Sequence, residues 1–171
     1  MAAGHLFVLG GARSGKTAFA EQTALATGKA PVYLATGGAG DAEMAARIEA
    51  HRAARGPAWR TVEEPLNLAA AISRESRAET VILVDCLTLW LSNLMADDAD
   101  PLAAGAGLVE ALAAAAGPVI LVSNEVGQGI VPANPLARRF RDAAGRLHQT
   151  VAAAVPRAVF IVAGLPLNLK G

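Results

Sequence analysis

Apolar positions in this chain fall into two alternating kinds of run. Short unbroken runs occur at His5-Leu6-Phe7-Val8-Leu9, Val32-Tyr33-Leu34-Ala35, Val81-Ile82-Leu83-Val84, Val119-Ile120-Leu121-Val122 and Val159-Phe160-Ile161-Val162. With little or no polar alternation, they predict strands buried on both faces. Between them lie longer, alanine-rich stretches that predict helices over Ala18–Ala26, Ala42–Arg55, Leu66–Arg77, Leu87–Met95, Leu102–Ala116 and Leu136–Ala154. Asp100-Pro101 supplies a capping acid and a first-turn proline, and Gly117-Pro118 is expected to end the helix that follows. The β-α alternation predicts an α/β domain with a mainly parallel sheet. Strand order is not readable from this pattern. Neither a repeat nor a linker interrupts it, so one domain over residues 1–171 is expected.

Composition narrows the class. At 171 residues, 53% apolar and 4% aromatic, the chain is long enough to bury a full core. Formal net charge is zero, with 15 basic and 15 acidic residues, which argues against nucleic-acid binding by bulk electrostatics. The single cysteine, Cys86, rules out an internal disulfide and suits a reducing compartment. No signal-peptide pattern opens the chain. The longest apolar stretch, Leu108 to Val122, is interrupted by Glu110 and Gly117-Pro118, so no membrane insertion is expected. A cytoplasmic location follows.

Against this background one motif stands out. Gly10-Gly11-Ala12-Arg13-Ser14-Gly15-Lys16-Thr17 is a complete Gly-x-x-x-x-Gly-Lys-Thr phosphate loop, with a predicted strand before it and a predicted helix after it. Its glycines let backbone N–H groups face a di- or triphosphate. Lys16 adds a mobile positive charge, and Thr17 offers a hydroxyl to Mg²⁺. Such loops work with an acid at the end of a nearby core strand. Asp85 directly follows Val81-Ile82-Leu83-Val84. It fits that role and also suits a cap for the next helix, and the two roles are compatible. Cys86 beside it reads as a small core residue rather than a nucleophile. Asp97-Asp98-Ala99-Asp100 reads as an exposed turn.

The segment from Asp41 to Glu64 is more particular. On a helix, Arg47, His51 and Arg55 fall four apart and share a face, with Arg52 adjacent. Nearby positive charge keeps an imidazole neutral and would also hold a phosphate. The residues alone leave two readings open, a surface histidine and a nucleophile. Asn124-Glu125-Val126-Gly127-Gln128-Gly129 follows a buried strand, as a ligand loop or a structured turn. Arg138, Arg139 and Arg141 suit a phosphate, a neighbouring subunit or a solvated helix face.

Nearly end to end, the chain resembles the bifunctional adenosylcobinamide kinase/adenosylcobinamide-phosphate guanylyltransferase family of cobalamin biosynthesis. The likeness includes the phosphate loop, Tyr33-Leu34-Ala35-Thr36, Asp41-Ala42-Glu43-Met44-Ala45-Ala46-Arg47-Ile48 with His51, and Trp59-Arg60-Thr61-Val62-Glu63. It continues through Asp85-Cys86-Leu87-Thr88, Leu91-Ser92-Asn93-Leu94, Ser123-Asn124-Glu125-Val126-Gly127 and Gly129-Ile130-Val131-Pro132. Leu136-Ala137-Arg138-Arg139-Phe140-Arg141-Asp142 with Gly145-Arg146 completes it. The loop and the resemblance together imply a P-loop NTPase-type (RecA-like) three-layer domain.

The resemblance implies that His51 becomes guanylylated; Lys16 is the other expected catalytic residue, positioning the nucleotide and dispersing charge on the transferring γ-phosphoryl. It implies nucleotide contacts at Gly10, Gly11, Ala12, Arg13, Ser14, Gly15, Lys16 and Thr17. Further contacts are implied at Leu34, Ala35, Thr36, Arg52, Ala53, Ala54, Arg55, Glu63 and Asp85, with Mg²⁺ on Thr17 and Asp85. ATP and GTP are the implied nucleotide substrates; adenosylcobinamide and its phosphate are the acceptors, in a homotrimer. Two positions depart from the family pattern. Asp85 stands where glutamate is frequent, which shortens the carboxylate's reach. His148 stands where asparagine is more usual, so it is expected on the helix surface and not as an essential base. For the kinase step, Glu63, Asp85 and Glu125 are the carboxylates available as base. A P-loop kinase of another small metabolite and a non-catalytic nucleotide-dependent binding module are the competing readings.

Overall fold

The computed structural model describes residues 4–37 and 55–171. Its strands are β1 (Leu6–Gly10), β2 (Ala30–Ala35), β3 (Arg60–Glu63), β4 (Thr80–Asp85), β5 (Val119–Asn124), β6 (Arg157–Val162) and β7 (Leu165–Lys170). The described helices are α1 (Lys16–Ala26), α2 (Leu68–Glu75), α3 (Leu87–Ala96), α4 (Pro101–Ala114) and α5 (Pro135–Ala154). They build one seven-stranded sheet in the order β3-β2-β4-β5-β1-β6-β7. The first six strands in that order run parallel, and β7 returns antiparallel beside β6.

Successive side chains of a strand point to opposite faces, so the unbroken apolar runs supply two cores. Phe7, Leu9, Leu34, Ile82, Val84 and Leu121 meet α2, α3, α4 and α5 on one face. Leu6, Val8, Leu83, Ile120 and Val122 meet Ala20 and Ala24 of α1 on the other. Each fully buried leucine or isoleucine contributes about 1.5–3 kcal/mol relative to exposure. The five runs that predict strands all form them, and with helices on both faces the layers are three.

Several boundaries move for identifiable reasons. α2 begins at Leu68 rather than Leu66, because the Glu64 carboxylate accepts from the Leu66 and Asn67 N–H groups before the helix starts. α4 ends at Ala114, short of Gly117-Pro118, where Ser76 Oγ accepts from the Ala116 and Gly117 N–H groups. Its start is as expected: Asp100 accepts from Leu102 N–H ahead of Pro101. Arg60–Glu63 and Leu165–Lys170, strands in the structure, are missing from the sequence prediction. Within the predicted Ala42–Arg55 helix, only Arg55 lies among the described residues.

Candidate active site

β1 delivers the phosphate loop between the ends of β5 and β6. Gly15 stands at φ +94°, in the left-handed region that a side chain would strain, and a Cβ there would meet Gly164 Cα at 3.2 Å. That Gly164 belongs to the tight β6–β7 turn, and its N–H donates to Ser14 O at 2.8 Å. The hairpin therefore buttresses the loop from behind. No side chain caps α1, which starts at Lys16, so its first N–H groups and dipole face whatever the loop holds. Ser14 Oγ is buried with no hydrogen-bond partner among the described residues, an orphan that suits a loop built around an anion.

Lys16 is buried, and its ammonium donates to Gly11 O at 3.0 Å. Burial lowers its pKa, while Asp85 opposes the shift. Thr17 Oγ1 donates to Asp85 Oδ2 at 3.3 Å, and the Tyr33 hydroxyl donates to the same oxygen at 2.7 Å. Burial, chiefly, and then Asp85 raise the tyrosine pKa, keeping it a neutral donor. The helix-cap reading of Asp85 is not realised, because Cys86 is the N-cap residue of α3 and makes no side-chain cap. Thr17 and Asp85 present hard oxygen donors within reach of a common ion, the donor chemistry that Mg²⁺ prefers. They fit such an ion.

Arg55 is brought to this crevice. Its guanidinium lies 3.5 Å from the Tyr33 ring centroid, and its buried Nε has no hydrogen-bond partner among the described residues. Trp59 packs edge-on to Tyr33 at 6.0 Å. Glu63 lies exposed at the end of β3, in one row with Ala35 and Asp85 across three strands. That puts it about 10 Å from Asp85 at ordinary strand spacing. Leu34 and Thr36 are fully buried. The Thr36 hydroxyl donates to Cys86 O at 2.7 Å and accepts from Cys86 N–H at 2.9 Å. Thr36 thus ties the end of β2 to the end of β4, beside Asp85. Gly10, Gly11, Ala12 and Arg13 complete the loop, with Arg13 at φ 54°. Arg47, His51, Arg52, Ala53 and Ala54 lie outside the described residues.

The segment after β5 reaches the loop directly. Glu125 N–H donates to Gly10 O at 3.0 Å. Its carboxylate accepts from Gly127 N–H through Oε1, while Oε2 lies 3.8 Å from His148 Nδ1. His148 is 8% exposed and hydrogen-bonded through Nε2 to Ser123 Oγ at 2.8 Å, so the expected helix-surface position is wrong. The cause is its place on the α5 stripe with Ala144, Leu147 and Val151, all facing the sheet. Burial lowers its pKa, with Glu125 opposing. Arg138 donates to the carbonyls of Pro132 and Ala133 and so anchors this segment, whereas Arg141 pairs with Asp142. Next to Val126 begins an apolar groove of about 600 Å³ that also takes in Met95, Pro132, Leu136 and Phe140. Cys86 is buried, its thiol pKa raised by burial and by Asp85, which makes it a core residue and not a nucleophile.

Sequence reasoning missed Tyr33 as a partner of Asp85, the Ser123–His148 bond and the β6–β7 hairpin. Only the hairpin carried a readable signal, the alternation of Leu165, Leu167 and Leu169 after a two-residue Ala163-Gly164 turn.

Known proteins decide what this geometry belongs to. The sequence profile described as cobinamide kinase / cobinamide phosphate guanyltransferase matches residues 6–169. This chain belongs to that family. The bifunctional adenosylcobalamin biosynthesis protein CobP of Pseudomonas aeruginosa is 52% identical over 166 residues, covering 96% of each chain. The bifunctional protein CobU of Escherichia coli is 39% identical, over 96% of this chain and 99% of its own length. Among solved structures, the RadB recombinase aligns over 93% of this chain and 74% of its own, with TM-score 0.56 and 18% identity. The flagellar accessory protein FlaH of Methanocaldococcus jannaschii aligns over 99% and 80%, with TM-score 0.52 and 14% identity. These likenesses show the fold, a RecA-like P-loop architecture. Like its family, the chain is a nucleotide-using enzyme of adenosylcobalamin biosynthesis. Among the described residues, no helix is long and apolar enough to cross a membrane.

Proposed function

We propose that this chain phosphorylates adenosylcobinamide with ATP or GTP and then transfers GMP from GTP to adenosylcobinamide phosphate, giving adenosylcobinamide-GDP. The observation that carries this reading is a complete phosphate loop, joined to Asp85, in a chain that the kinase/guanyltransferase family matches over residues 6–169. In the first reaction the loop N–H groups and Lys16 hold the triphosphate and disperse charge on the transferring γ-phosphoryl. Thr17 and Asp85 would hold Mg²⁺, whose charge offsets that of the phosphate oxygens. Tyr33 fixes Asp85, and Arg55 lies over the Tyr33 ring, where its charge would face a bound nucleotide. Glu63 and the Leu34-Ala35-Thr36 strand end border the nucleotide on the β3 side.

In the second reaction His51 attacks the α-phosphorus of GTP as a neutral imidazole and expels pyrophosphate, forming a phosphoramidate. The phosphate of adenosylcobinamide phosphate then attacks the same phosphorus, and His51 leaves with its lone pair restored. Family likeness supports this role, as does Arg55, four positions on in the sequence and beside Tyr33. Arg52, Ala53 and Ala54 belong to the same nucleotide contact. Incubation with GTP labelled at α or γ tests the whole reading. Acid-labile, base-stable α-label on the protein, lost in His51→Ala, is expected alongside γ-label on cobinamide. Guanylyl transfer retained by His51→Ala would sink the histidine assignment.

The enzyme acts in the cytoplasm as a homotrimer. Leu165, Leu167 and Leu169 leave an exposed apolar row on β7 that is available to a subunit contact. Light scattering that gives a monomer mass at micromolar concentration would remove the trimer.

A further inference from the structure

Among the described residues, Glu63, Asp85 and Glu125 stand at or just after the ends of β3, β4 and β5, and the first two are less suited to take a proton from the acceptor. Asp85 Oδ2 already accepts from Thr17 and Tyr33, on the nucleotide side. Glu63 is exposed on the edge strand, two strands from Asp85. Glu125 differs from both. Its backbone is bonded to Gly10, the first residue of the phosphate loop, and its side chain is 22% exposed. Oε1 is held by Gly127 N–H, whereas the described residues make no hydrogen bond to Oε2. At 3.8 Å the His148 Nδ1 is beyond hydrogen-bonding distance but close enough for electrostatic support.

The imidazole is itself held. Ser123, with no exposed surface, bonds Nε2 at 2.8 Å, and Phe7 lies against the ring at 5.7 Å between centroids. If the Ser123 hydroxyl donates to Nε2, the ring proton sits on Nδ1 and faces Glu125. Glu125 is the one charged group that faces His148 among the described residues. The next residue in the chain, Val126, lines the apolar groove of about 600 Å³, a space that a bulky acceptor could occupy.

We propose that Glu125 is the base of the phosphoryl-transfer step and that His148, held by Ser123, is the residue that positions it. The inference rests on the kinase reading above. The acceptor hydroxyl gives its proton to Glu125 Oε2 while its oxygen bonds to the γ-phosphorus. The bond from that phosphorus to the β-bridging oxygen breaks, and the nucleoside diphosphate leaves with the electron pair. Guanylylation of His51 needs no such base, because the imidazole attacks without losing a proton from an acceptor hydroxyl.

Both half-reactions of the full-length enzyme are measured: γ-label to cobinamide, and α-label to protein. Glu125→Gln should lower the kinase kcat about 10²-fold, leaving KM unchanged and α-label uptake present. His148→Leu should lower the kinase kcat about 10-fold through misplacement of the carboxylate, and His148→Gln, which restores an N–H donor, should recover most of it. Kinase kcat unaltered in Glu125→Gln would overturn the base. Unaltered kcat in His148→Leu, or no recovery in His148→Gln, would overturn the positioning role. If His148→Leu loses α-label uptake too, its fold has failed and Gly127→Ala decides. A Cβ there would sit 2.9 Å from Glu125 Oε1, so the carboxylate must move and the kinase kcat alone should fall; an unchanged rate would count against the positioning role. Wild-type protein inactive in both assays would instead overturn the proposed function.

Discussion

Asp85 and Glu125 come at the ends of neighbouring parallel strands, on the same edge of the sheet, yet their surroundings make them different groups. Asp85 faces α1 and β2, where Thr17 and Tyr33 both donate to it. Glu125 faces the phosphate loop backbone on one side and an imidazole from α5 on the other. With Thr17 and Tyr33 both donating to Oδ2, Asp85 is held in the orientation suited to an ion and a nucleotide. Glu125, held through Oε1 by Gly127 N–H and with Oε2 turned toward His148, is suited to receive a proton. An acid after a buried strand is thus one signal with two chemical outcomes, and the opposing element decides which.

The comparison breaks most visibly through the nucleotide side, which both reactions share. Lys16→Ala should lower kinase and guanylyl-transfer rates together by about 10²–10³-fold. Asp85→Asn should follow the same pattern, at about 10²-fold. Label transfer measures both, and a loss confined to one reaction would show that the reactions do not share this loop. Thr36→Val should destabilise the fold by about 1–3 kcal/mol in a denaturant titration, because it leaves the buried Cys86 N–H unpaired. An unchanged midpoint would mean that Thr36 does not hold the edge beside Asp85. Tyr33→Phe removes one of the two donors to Asp85 and should slow both reactions about 2–10-fold. A tenfold larger effect would give the tyrosine a direct role.

The smallest effect concerns the imidazole beside Glu125. Burial lowers the pKa of His148 and of His5 below the ordinary 6.5. His5 bridges Leu112 O and Val119 N–H, at 3.0 Å each, far from the site in the fold. Between the lowered folded values and about 6.5 the unfolded chain binds more protons, so stability is complete above that pH and declines as pH falls below it. His148→Gln should make the decline shallower. The same slope in wild type and variant would show that His148 is not a buried neutral group.

Much of this was legible in the chain. The five apolar runs mark five strands because burial on both faces demands unbroken hydrophobicity, and the loop motif sits where strand and helix predict it. β3 escaped because Arg60–Glu63 is a four-residue edge strand with Val62 as its one apolar residue, too short for a pattern. β7 escaped because its residues are all exposed. His148 was misread for a related cause. Its helix is polar overall, and only the packed stripe reveals which of its residues face the sheet.

Local sequence by itself determined the α/β alternation, the phosphate loop and the acid after β4, since these depend on hydrophobic runs, glycine geometry and residues adjacent in the chain. The tertiary structure alone decided the strand order, the pairing of Tyr33 with Asp85 and the approach of His148 to Glu125. Those contacts join residues 52 and 23 positions apart. No local pattern encodes such a separation, and only the packing of helices onto a sheet of particular order brings such residues within reach of one another.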